Sequence, residues 1–133
     1  MSTAIPPGWS VHTCQSGNGC EQSDDPADSG RFLRFGGSPS PAGDLTSVQA
    51  TYERDFGKNR TGYQRFTLQP GSFHGYPSVE WEFEWTSSGV QRHVHVLYWR
   101  AGGADNFVYA SSTMDGWPTT SGIYDDMVTY ATP

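Results

Sequence analysis

Residues 78–85, SVEWEFEW, alternate strictly between apolar and polar, and residues 90–99, VQRHVHVLYW, nearly do. Alternation of this kind marks a strand with one face turned to a core. The short polar stretch TSSG at 86–89 lies between the two runs and predicts a hairpin. Similar runs at 8–13 (GWSVHT), 31–37 (RFLRFGG), 62–69 (GYQRFTLQ) and 106–113 (NFVYASST) predict four more strands. At 45–57 the period changes: Leu45, Val48, Tyr52 and Phe56 recur at helical spacing and predict one apolar helix face. Asp44 or Thr46 suits its start, Thr46 with Gln49 fits a capping box, and Gly57 suits its end. A second helix is predicted from Trp117 onward, with Pro118 in its first turn and Ile123, Met127 and Tyr130 along one side. Residues 14–30 are polar, glycine-rich and acidic, and read as a loop, while 38–44 (SPSPAGD) is punctuation before the first helix. The order β-β-α-β-β-β-β-α indicates an α+β fold with a mainly antiparallel sheet packed by helices.

The hairpin brings acids and histidines together. A four-residue loop would set Glu82 opposite His93 and Glu80 opposite His95. A two-residue loop would set Glu84 opposite His93 and Glu82 opposite His95. Parity is the same either way, so Glu80, Glu82, Glu84, His93 and His95 share one face. Trp81, Phe83 and Trp85 share the other with Val90, Val94 and Val96. The simplest reading is a polar sheet face with cross-strand Glu–His pairs. Two sharper readings use the same residues: a three-ligand metal site from Glu82, His93 and His95, or a pH-responsive face. Paired glycosidase acids would need carboxyls in different environments, whereas three Glu on one strand are expected to be equivalent and exposed.

The 133 residues suit one domain, and aromatics at 14% supply much of the core volume. Eight basic against 14 acidic residues, a net charge of −6, exclude nucleic acid as a natural partner. No stretch approaches a membrane span, and MSTAIPPGW is not a signal peptide. Residues 1–7 read as linker and 8–133 as the domain. Cys14 and Cys20 enclose the flexible stretch QSGNG, for which a disulfide is the simplest reading and two free thiols the alternative. Asp55-Phe56-Gly57 spells a kinase magnesium triplet, but no glycine-rich loop, strand lysine or catalytic loop accompanies it. No nucleophile elbow, phosphate loop or metalloprotease helix occurs, so nothing points to catalysis or to a cofactor.

Gly62-Tyr63, Gly75-Tyr76 with Val79-Glu80-Trp81-Glu82-Phe83, Arg92, and Trp117 with Ile123-Tyr124-Asp125 follow one another along the chain, after the entry PPGW at 6–9. This series resembles the C-terminal domain of bacterial eukaryotic-like serine/threonine kinases and related lipoproteins. The resemblance implies a PsbP-like α/β/α sandwich, outside the cell and tethered by a linker and one membrane span to a cytoplasmic kinase. It further implies a non-catalytic sensor or ligand-binding role for an unidentified extracellular ligand, with no shared set of binding residues. Membrane contact would come only through the tether, and ligand-induced homodimerisation stays open. A free-standing secreted or lipid-anchored binding protein of the same fold is the alternative. The Cys14–Cys20 loop and the His93/His95 pair depart from the family pattern.

Overall fold

The computed structural model describes residues 1–133. One antiparallel sheet of seven strands runs through it: β1 (Val11–Thr13), β2 (Cys20–Asp24), β3 (Phe32–Pro39), β4 (Gln64–Phe73), β5 (Tyr76–Ser87), β6 (Val90–Ala101) and β7 (Ala104–Thr113). The spatial order is β1-β2-β3-β7-β6-β5-β4. Helix α1 (Leu45–Lys58) joins β3 to β4, and α2 (Trp117–Thr129) follows β7. Because α1 packs on β5 and β4 and α2 on β7 and β6, from opposite faces, the layers are helix, sheet, helix.

The β4–β7 meander turns three times on two residues: His74-Gly75, Ser88-Gly89 and Gly102-Gly103. Both residues of each pair have positive φ, the backbone that matches the right-handed twist of the flanking strands. The central hairpin therefore takes the two-residue register, with Ser87 opposite Val90, Glu84 opposite His93 and Glu82 opposite His95.

Three expectations need correction. Residues 20–24 are a strand, not loop. CEQSD has no apolar alternation to announce it, since β2 is held by ladders to β1 and β3 and by Ser23 Oγ donating to Ser10 O at 2.9 Å. On α1 the buried residues are Leu45, Gln49 and Glu53, while Tyr52 is exposed at the margin. Asp44 alone caps this helix, accepting from Ser47 N, and Asn59 rather than Gly57 ends it. On α2, Thr120, Tyr124 and Met127 face inward, whereas Tyr130 lies past the last turn and is exposed.

Each face has its own core. Leu33, Leu97, Trp99, Val108 and Ala110 meet Tyr124 and Met127 beneath α2. Trp81, Phe83, Val94 and Val96 meet Phe56 and Tyr63 beside α1. The two helices are pinned by polar links. Trp81 Nε1 donates to Tyr63 Oη at 3.0 Å, Tyr63 Oη donates to Glu53 Oε2 at 2.6 Å, and Arg65 forks the same carboxylate. These bonds explain why a carboxylate, Glu53, can be buried on this helix. Arg65 first of all holds the Glu53 carboxyl below its ordinary value, while burial pushes the Tyr63 phenol up to about 12. At the start of α2, the buried Arg31 reaches Asp25 at 2.6 Å, Thr120 Oγ1 at 2.8 Å and Gly116 O at 3.2 Å. Residues 1–7 lie against the domain: Ser2 and Thr132 exchange two backbone bonds, and Ile5 packs on the α2-side core.

Candidate functional sites on the two faces of the sheet

Strand parity gathers Glu80, Glu82, Glu84, His93 and His95 on the α2 side. They are neither equivalent nor uniformly exposed, contrary to the expectation for three Glu on one strand. Side-chain exposure falls from 48% at Glu80 through 27% at Glu82 to 10% at Glu84. The gradient arises because α2 and a β-bulge cover one end of the row. The bulge between Arg65 and Thr67 turns Phe66 over His93, with ring centroids 5.5 Å apart, and Trp117 of α2 packs on His93 at 4.1 Å.

His93 is bridged by two carboxylates, Nε2 to Glu82 at 2.6 Å and Nδ1 to Glu84 at 2.8 Å. Both contacts can be hydrogen bonds only if two hydrogens are present, on both nitrogens or on one nitrogen and one carboxyl. Glu82, His93 and Glu84 thus form a closed trio, which leaves no His93 nitrogen to coordinate a metal. His95 differs. Its ring stacks on Tyr124 at 4.0 Å, and its Nε2 is buried, 3.5 Å from Glu80 and without a hydrogen bond. Burial holds His95 below the usual imidazole value despite the opposing pull of Glu82 and Glu80. Burial likewise pushes the Tyr124 phenol up.

Beside His95 a cleft of about 640 Å³ opens between the β4–β5 edge and α2. Its charged groups are acidic, Glu80 and Asp125, with His95, Tyr124 and Gln69 among the other walls.

The opposite face holds a second cavity, of about 500 Å³, between α1 and β3. Ten of its 14 lining residues are hydrophobic. The three rings of residues 80–85 contribute to it, as do Phe32, Tyr98, Phe107 and Tyr109 from three further strands. Arg34 lies over Phe32 at 4.9 Å and over Tyr109 at 5.5 Å, and Arg60 over Phe56 at 4.5 Å. Ser16 and Cys20 stand at this cavity, from the loop that the Cys14–Cys20 disulfide closes. The sequence assigned these rings to the core face, but could not show that α1 covers only part of it. Helical periodicity fixes which residues point inward, not how far along the sheet the helix lies.

Residues 2–132 match the model of a family described as the serine/threonine kinase C-terminal domain. No match was found among curated proteins. Several solved structures share the fold. Cyanobacterial PsbP (CyanoP) from Synechocystis sp. PCC 6803 aligns with a TM-score of 0.73 at 16% identity, covering 96% of this chain and 83% of that one. A protein of unknown function from Pseudomonas aeruginosa, described as a putative regulator, gives 0.69 at 15% identity, covering 97% and 88%. LpqN of Mycobacterium tuberculosis, involved in cell envelope biogenesis, gives 0.65 at 14% identity, covering 96% and 79%. The fold is therefore PsbP-like, as the sequence resemblance implied.

Proposed function

Because this chain belongs to the serine/threonine kinase C-terminal domain family, we propose that it is the extracytoplasmic sensor or ligand-binding domain of a membrane-spanning kinase. The family match over residues 2–132 carries this reading. The Cys14–Cys20 disulfide supports it, because such bonds persist in oxidising compartments. No helix here is long and apolar enough to cross a membrane, so the span and the kinase would lie elsewhere in the full-length protein. The domain itself binds and does not catalyse: its one tight acid–base cluster is tied up in reciprocal hydrogen bonds under α2.

The test is made on the full-length gene in its own cells. An epitope inserted in the exposed Ser88-Gly89 turn should be reached by antibody on intact cells, and deleting the domain should change kinase autophosphorylation without abolishing it. An epitope reached only after permeabilisation overturns the reading. A gene with no kinase domain favours the second reading, a free-standing secreted or lipid-anchored binding protein, which a likeness in fold to a cell-envelope protein also suits.

A further inference from the structure

We propose that the aromatic cavity beside α1 is the ligand site, and that it takes a small ligand with a flat unsaturated ring body and an anionic group. This rests on reading the domain as a binding module. The cavity, about 500 Å³, falls in the range of small-molecule sites. Its walls are rich in aromatic rings, which pack on flat ligands in defined geometry and give a flexible chain no such advantage.

Charge sets the rest of the ligand. The chain carries 14 acids, yet none lines this cavity, while Arg34 and Arg60 do. Neither arginine belongs to a salt bridge, whereas Arg31, Arg65 and Arg100 do. Arg34 donates Nε to Gln22 at 2.9 Å, and its terminal nitrogens have no protein acceptor. The guanidinium N–H groups lie in one plane and form a fork that can grip a carboxylate or sulfonate. Trp85 adds its ring to the wall. Donors without acceptors are satisfied by an anion, and a cation would meet two like charges and no opposite one. The acidic cleft on the α2 face has the reverse character, with Glu80 and Asp125 and no arginine. The site also abuts the Cys14–Cys20 loop, one of the two places where the sequence departs from the family pattern.

The experiment is a calorimetric titration of the purified 133-residue chain with 1-naphthoate, alongside 1-naphthylmethylamine and decanoate, with amide shifts followed by NMR. Naphthoate should bind saturably and at least about tenfold more tightly than either comparator, moving the amides of Phe32, Tyr98 and Tyr109. Arg34→Gln should weaken it about tenfold. Arg60→Gln, at an exposed position that cannot unfold the sheet, should weaken it in the same direction, while Arg54→Gln, outside the cavity, should change nothing. Absent saturation, equal binding of the amine, shifts confined to the α2 face, or full affinity in both cavity variants would each overturn the proposal. Such a failure leaves the antibody result on intact cells untouched, and an inward-facing epitope leaves this titration untouched, so the two readings fail separately.

Discussion

Tyr63 is the residue on which the α1 side is threaded. It donates to a carboxylate on the helix and accepts from an indole in the sheet. Tyr63→Phe strands Trp81 Nε1 in a side chain that is 2% exposed and removes a partner of Glu53. The expected loss is about 1–3 kcal/mol, read as a lower urea midpoint with an unchanged slope. His95 makes a different prediction. Its proton affinity is lowered in the folded state from the usual 6.5, chiefly by burial, so between the folded value and 6.5 the unfolded chain binds more protons. Stability from this residue is intact above that window and falls as the pH drops through it. Glu80 and Glu82 of β5, His93 of its own strand and Tyr124 of α2 face the ring, and the two acids oppose the effect. His95→Gln should therefore lose less melting temperature than the wild type between about pH 7.5 and about pH 5.5. An equal loss in both would mean that His95 is not the titrating group.

At the scale of elements, legibility followed local pattern. The meander from β5 to β7 was readable because alternation and glycine turns are written in consecutive residues. Parity alone then placed all five acid and imidazole groups on one face. Register needed the turn, and Ser88-Gly89 settled it with positive φ at both positions. β2 was unreadable because its stabilisation is entirely cross-strand, and the Phe66 bulge because it is an irregularity of pairing. The covering of the acid row by Trp117, like the gap α1 leaves over the rings, depends on where helices dock along the sheet, which no local pattern records. The edge formed by β1 and β2 leans on the disulfide, where Gly36 lets the loop end lie close against β3: a side chain there would collide with Gly19 O. Reducing Cys14–Cys20 should cost about 2 kcal/mol on the loop-entropy model. Hydrogen exchange should then rise first in β1 and β2 and leave β5–β7 protected.

Over the whole molecule, the sheet separates two unlike environments. On the α2 side acids and imidazoles interlock and leave an acidic cleft. On the α1 side rings and two guanidinium groups with no carboxylate partner border a cavity. The family match assigns the chain to the serine/threonine kinase C-terminal domains, the likeness to CyanoP shows its fold, and the asymmetry of the sheet says which face to probe first. The Ser2–Thr132 pair reaches further than its two hydrogen bonds suggest, because it sets the two ends of the domain side by side. The point at which the chain starts is then nearly incidental to the fold. The ends can be spliced and the chain opened at the His74-Gly75 turn, giving a circular permutant in which the meander is split while every layer stays in place.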